Sequence, residues 1–306
     1  MPVAHRLHLK TAALLFAACT VFATETNAAE TVDQPFRGIT HITRTETAPR
    51  NLRIHVVKID LTAPGLSFKL TPPGGSRETV RQTTLEFLKQ ERAQVAINAH
   101  FFVPFPTPDT EVSLVGLAAS GGSVYSGCEK PAQSYALMAN APAINIDSSN
   151  RAAIVHCDPA FSSGTHILEK ELLWTTLSGS AQIVTAGVKT IPAYAEGGLT
   201  PGGPGNYSSA KSWYDAINAR TAIGLSRDNR TLILFTVDAR NGSAGMQVGE
   251  VAEMLIKDYG VYNALNLDGG GSTTLAIRDA VVNTSSDNPN GRSVGSNLAI
   301  FAQPMQ

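Results

Sequence analysis

VGEVAEMLIKDYGVYNALNLDGGGS, residues 248–272, changes its period half-way along. Val248, Val251, Ala252, Leu255, Ile256 and Tyr259 recur at the spacing of one helical face, and Gly260 suits a left-handed C-terminal cap, so the pattern predicts a helix over 247–259. Ala264 to Leu267 then reads as a short apolar strand that delivers Asp268 directly into Gly269, Gly270 and Gly271. Upstream, 219–226 and 231–237 are β-prone runs flanking Arg227-Asp228-Asn229-Arg230, which predicts an antiparallel hairpin. With Ser226 facing Thr231, Arg220 falls opposite Val237 and within reach of Asp238, implying an arginine-carboxylate pair at a strand end.

Strand, helix, strand in that order implies a right-handed crossover with parallel strands. Asp238 and Asp268 then share one edge of the sheet, just past the carboxyl ends of their strands, where α/β sheets bind ligands. Each glycine after Asp268 costs backbone entropy and permits close backbone approach that a Cβ forbids. Three in succession predict a bare loop against a ligand, with successive N–H groups able to form an anion nest; a tight structural turn is the alternative.

Working outward, Thr83-Thr84-Leu85-Glu86 is a capping box for a short helix ending near Arg92, followed by a strand ending at Asn98. Residues 51–60 and 66–70 read as a hairpin about Pro64-Gly65. Short β-prone runs between 114 and 190, such as 135–138, 154–156 and 181–185, predict antiparallel sheet, and the glycine- and proline-rich stretch 196–212 reads as a lid. The expected class is α+β, a mixed β-sheet core with antiparallel hairpins and a C-terminal strand-helix-strand crossover. Residues 1–29 are expected to be a signal peptide, 30–50 an extended N-terminal arm, and 51–306 one domain.

The signal peptide follows from Arg6, His8 and Lys10 ahead of the apolar run 12–23, with small residues at Ala28 and Ala29. That core is shorter than the roughly 20 residues that span a bilayer, so the sequence predicts export to the periplasm or beyond without membrane insertion. Lipoprotein anchoring at Cys19 is the weaker alternative. Export makes Cys128 and Cys157 a candidate disulfide. With 24 Lys+Arg against 25 Asp+Glu, the chain lacks the basic footprint of a nucleic-acid or anionic-lipid binder.

Several chemistries find no motif. Ser272 lacks a G-x-S-x-G elbow, and neither a Walker-type loop nor an H-E-x-x-H or Cys-His zinc spacing occurs. Oxygen ligands from Asp238, Asn266 and Asp268 could hold a hard divalent cation, which leaves the metal requirement open. His100, between Asn98 and the Phe101-Phe102 pair, is a candidate substrate contact or acid, with a structural histidine as the alternative.

Several motifs recur together in this order. They are Ala96-Ile97-Asn98 followed by Phe101-Phe102, Leu177-Ser178-Gly179, Ala219-Arg220-Thr221-Ala222-Ile223-Gly224, Asp238-Ala239-Arg240, Val251-Ala252-Glu253, Asn266-Leu267-Asp268-Gly269-Gly270-Gly271-Ser272, and Arg292. This combination resembles the phosphodiester glycosidase family. Ala99-His100 stands where that family commonly has glycines, and Ala239 where a glycine often follows the first acid.

The resemblance implies that Asn98, Arg220, Asp238, Asp268, Gly269, Gly270, Gly271, Ser272 and Arg292 line one pocket, with Arg240 and His100 as further substrate contacts. It implies hydrolysis of a sugar-1-phosphodiester at the anomeric carbon, with Asp238 and Asp268 catalytic in unassigned roles, on a carbohydrate of the envelope or exopolysaccharide type. Two alternatives stand beside it. One is a metal-dependent phosphodiesterase, the other a non-catalytic envelope polysaccharide-binding protein.

Overall fold

Local signals start the helices, and burial decides where the strands go. In the computed structural model, which describes residues 1, 28–128, 142–161, 164–191, 214–284 and 288–305, the side chain of Thr83 accepts from Glu86 N and Glu86 returns a bond to Thr83 N, opening helix α1 (Thr84–Glu91). Helix α2 (Val248–Tyr259) begins where Glu250 accepts from Gln247 N and ends at Gly260 in the left-handed region. Its face Val248, Val251, Ala252, Leu255 and Tyr259 is buried, as the spacing requires.

Among the described residues the strands form four antiparallel sheets, which with two α-helices give an α+β architecture. The largest has eight strands, in spatial order Ala28–Phe36, Ile39–Glu46, Leu52–Asp60, Thr231–Val237, Arg220–Ser226, Val261–Asn266, Ala181–Thr185 and Val188–Lys189. Arg220 lies opposite Val237 in the predicted hairpin register. Thr231–Val237 and Val261–Asn266 both pair antiparallel to Arg220–Ser226, so they run parallel to each other with that strand between them. The strand-helix-strand unit is therefore split by an inserted strand and does not bring the parallel strands side by side.

A five-stranded sheet carries Ala280–Val281, Leu275–Ile277, Val95–Asn98, Asn297–Phe301 and Ser67–Leu70 in order. This corrects the expected hairpin of 51–60 with 66–70. Both edges of Leu52–Asp60 are already taken, by Ile39–Glu46 and Thr231–Val237, so the chain beyond Gly65 leaves for Asn297–Phe301 instead. Residues 28–46 form a hairpin on the edge of the large sheet, burying Ile39 and Ile42.

The large sheet is buried on both faces, which is why its central strands read as continuous apolar runs. One face packs Val57, Ile223, Leu225, Leu234 and Leu265 against Ile97, Leu275 and Leu298 of the second sheet. The other packs Ile54, Phe235 and Val237 against Val251 and Leu255 of α2. Each such side chain contributes about 1.5–3 kcal/mol on burial.

Cys128 and Cys157 are bonded, with Cα atoms 5.7 Å apart, beside Leu117, Ala143 and Val155. The expected strand 135–138, the lid 196–212 and nearly all of the signal segment lie outside the described residues. No helix among the described residues is long and apolar enough to cross a membrane.

Candidate active site

The end of Val261–Asn266 feeds Leu267 and Asp268 into a single 3-10 turn, Gly270–Ser272. Packing accounts for part of the glycine run. A Cβ on Gly269 would stand 3.0 Å from the Ala219 carbonyl, and Gly270 has φ +59 while its N–H donates to that same carbonyl. Gly271 serves differently: a Cβ there would stand 2.3 Å from Nη2 of Arg292. Two glycines thus dock the turn on the sheet, and the third leaves room for a guanidinium.

Asn98 holds the turn at both ends. Its Nδ2 donates to the Asp268 carbonyl at 2.6 Å, and its Oδ1 accepts from Thr274 N and Thr221 Oγ1, both at 3.0 Å. With its amide committed in this way and 0% exposed, Asn98 positions the loop.

Asp268 is buried, at 7% exposed. Burial pushes its carboxyl up to about 7, against the pull of a Ser272 hydrogen bond, the Arg292 charge and the Gly269 N–H. Such a group exchanges protons at neutral pH.

Arg292 is half-buried, with its guanidinium 5.3 Å above the Phe105 ring. Among the described residues no hydrogen-bond acceptor or ion-pair partner engages that guanidinium. It therefore stands beside Asp268 with its donor fork uncommitted.

A second guanidinium, not anticipated from the sequence, supports this one. Arg81 donates through Nε and Nη2 to the carbonyl of Ser293, at 3.2 and 2.9 Å, and lies 5.3 Å over Phe102, whose ring meets Phe105 edge-on. Burial and the nearby Arg292 charge lower its pKa. Nothing in sequence spacing joins positions 81 and 292; the Phe102 and Phe105 rings were the available hint.

The remaining predicted residues are placed otherwise. Cross-strand partners share a face, so Arg220 opposite Val237 points toward α2, while Asp238, one residue on, points to the other side. Arg220 donates to the carbonyls of Met246 (2.9 Å) and Ala216 and forms no ion pair with Asp238. Asp238 is 0% exposed; its Oδ1 accepts from Asn283 Nδ2 at 3.0 Å and Thr284 N at 2.8 Å. Burial raises its pKa. The two carboxylates expected to be open are thus both buried, Asp238 at 0% and Asp268 at 7% exposed, and only Asp268 has the Arg292 charge beside it.

His100 is also interior. Its ring nitrogens meet Ser296 Oγ at 2.8 Å, Leu117 O at 2.9 Å and Ser178 N at 2.9 Å, and burial lowers its pKa to about 4. This makes it a framework residue joining four chain segments. Arg240 is exposed on the loop after Asp238, beyond the strand end.

The three-oxygen cation set does not assemble. Asn266 pairs with Ala222 on the α2 face and donates to Ser180 Oγ at 2.9 Å, whereas Asp238 faces the opposite side. Among the described residues no three His, Cys, Asp or Glu side chains converge.

Residues 91–301 match the family model for phosphodiester glycosidases. The chain belongs to the phosphodiester glycosidase family.

Over 79 residues the chain is 40% identical to human and 38% identical to mouse N-acetylglucosamine-1-phosphodiester alpha-N-acetylglucosaminidase. The aligned stretch covers 26% of this chain and 15% of each relative. Its fold is shared with the zebrafish N-acetylglucosamine-1-phosphodiester alpha-N-acetylglucosaminidase catalytic domain auto-inhibited by pro-peptide, at TM-score 0.56 and 19% identity over 94% of this chain and 87% of that one. A hypothetical protein from Synechocystis matches at TM-score 0.62 and 16% identity, over 87% of this chain and 62% of that one. A Burkholderia pseudomallei protein assigned as exported matches at TM-score 0.65 and 13% identity, over 96% and 100%.

Proposed function

We propose that the protein hydrolyses a sugar-1-phosphodiester at the anomeric carbon, releasing a free sugar and a phosphomonoester. The observation that carries this reading is the Arg292 guanidinium held beside Asp268 over the bare Gly271. The phosphomonoester leaves as a stable anion, so the step needs a cation at the departing oxygens more than a strong acid. A guanidinium supplies paired donors in the geometry of two phosphate oxygens.

In this scheme the Asp268 carboxylate takes a proton from water while the water oxygen bonds to the anomeric carbon. The carbon-oxygen bond to phosphate breaks, and its electron pair leaves on the phosphate held by Arg292. Ser272 and the Gly269 N–H orient the carboxyl. Asn98 and Asp238 act through other groups, the first fixing the Asp268 loop and the second fixing Asn283 and Thr284. The Cys128–Cys157 bond and the signal-like residues 1–29 support an exported enzyme acting on envelope or exopolysaccharide material.

Hydrolysis in oxygen-18 water tests the bond cleaved. Label in the released sugar is expected; label in the phosphomonoester would mean attack at phosphorus and sink the glycosidase reading.

A further inference from the structure

Next to the Asp268 loop lies a cavity of about 280 Å³ whose described lining includes neither Asp268 nor Arg292. Its lining includes Asn241, Thr274, Asn283, Thr284, Asn288 and Gly291, and among the described residues no charged side chain contributes to it. The volume is at the lower limit of the roughly 300–1,000 Å³ usual for ligand sites, room for one ring and not for a chain of rings.

Two connections tie this cavity to the reacting groups. Thr274 lies two residues after Ser272, and Gly291 immediately precedes Arg292, so the same two loops carry the cavity wall and the catalytic pair. They touch where a Cβ on Gly291 would stand 2.8 Å from Thr274 Oγ1, and Gly291 has φ +85.

The wall is also prearranged. The Asn283 amide donates to Asp238 Oδ1 and to the Thr273 carbonyl and accepts from Leu275 N, while Thr284 N donates to Asp238. A fully buried carboxylate thus fixes two adjacent lining residues, a costly arrangement for a mere surface turn. Amides and hydroxyls without net charge match a neutral polyol, whose hydroxyl groups both donate and accept. An anion would find no cation among the described lining side chains.

We infer that the cavity lined by Asn241, Thr274 and Thr284 is the subsite for the neutral monosaccharide ring whose anomeric carbon is attacked, with the phosphate lying on the Arg292 side. This rests on the proposed activity for its orientation, but binding of the ring can be read separately.

Saturation-transfer NMR with free glucose, galactose and N-acetylglucosamine, and parallel phosphorus NMR with inorganic phosphate, provide the test. At least one sugar is expected to bind the parent protein. Asn241→Gly, which keeps the left-handed backbone at φ +50, and Thr284→Val, which keeps the shape, should each weaken that sugar up to about tenfold, as loss of one hydrogen bond predicts, with phosphate binding unchanged. Arg292→Gln should do the reverse. The two substitutions sit on separate loops, so misfolding of one leaves the other readable by its intact thermal transition. No sugar bound by the parent, or sugar binding unaltered in both variants, overturns the subsite. Sugar bound here with no glycosyl phosphodiester cleaved would instead sink the hydrolysis and leave the subsite standing.

Discussion

Arg292 occupies the space that a side chain on Gly271 would need: an alanine Cβ there would come within 2.3 Å of its Nη2. Because the obstructing atom is the end of a flexible side chain, Gly271→Ala should displace the guanidinium and spare the fold. We expect kcat/KM to drop about 10- to 100-fold, the worth of a charge-assisted bond of roughly 1.5–3 kcal/mol, with Tm nearly unchanged. Kinetics on a glycosyl phosphodiester, paired with a melting curve, check both halves. Full activity in this variant would show that the position of Arg292 does not matter.

The Asp268 carboxyl, raised to about 7 from 3.8, gives a pH signature of definite sign. Between about pH 4 and 7 the folded protein holds this proton and the unfolded chain does not, so this group makes stability fall as pH rises through that window, by a few kcal/mol at most. Asp268→Asn should therefore abolish turnover and raise stability at pH 8 relative to the parent. Denaturant titrations at pH 5 and pH 8 measure the difference, and an Asn variant less stable than the parent at pH 8 contradicts the raised pKa. In the active enzyme, kcat/KM should inflect near neutrality.

What was legible in the sequence was local. The Thr83 capping box, the apolar face of α2 and the Arg220–Val237 register each depend on residues a few positions apart, or on one tight turn. The errors came from geometry that such patterns do not carry. The hairpin register follows from one tight turn, but the alternation of faces sends Asp238 away from Arg220 even though they lie at the same strand end. Ser67–Leu70 joins Asn297–Phe301, more than two hundred residues away, because a nearer edge was already occupied. Arg81 reaches Ser293 across a similar span, so the support behind Arg292 left no mark along the chain.

His100 yields a stability prediction of opposite sign to Asp268. Its pKa, lowered to about 4 by burial, and that of His55, lowered to about 3, mean that the unfolded chain takes up protons that the folded protein refuses as pH falls below 6.5. Stability contributed by these neutral rings is present at pH 7 and is lost toward pH 4. His100→Ala should cost about 2–5 kcal/mol at pH 7, since Leu117 O and Ser178 N lose their buried partner, and should soften the acid transition. Urea unfolding at pH 7 and pH 5 provides the check. A variant as stable as the parent at pH 7 would show that the ring is not a framework element.

The disulfide predicts a loss of stability uncoupled from catalysis. It closes a separation of 29 residues in the small cluster around Leu117 and Val155, away from Asp268 in the chain and in the sheet order. Cys128→Ser with Cys157→Ser should lower unfolding free energy by about 3–4 kcal/mol in the chain-entropy account. The kcat at a temperature well below the transition should stay at the parent value. A double variant that melts with the parent would mean the bond constrains little.

Asp238 and Asp268 are separated most clearly by substituting each with Asn and with Ala. At Asp268 the charge is the chemistry, so Asn should be as inactive as Ala. At Asp238 the essential feature is an acceptor for Asn283 Nδ2 and Thr284 N, which an Asn carbonyl still offers. Asp238→Asn is therefore expected to keep kcat within about tenfold of the parent, and removal of a buried charge need not destabilise the fold. Asp238→Ala leaves two buried donors unpaired, at about 1–3 kcal/mol each, and loosens the wall that carries Thr284. It should melt earlier and show a raised KM. If Asp238→Asn is as inactive as Asp268→Asn while folding normally, Asp238 reaches the substrate after all, and the division of labour drawn from its burial fails.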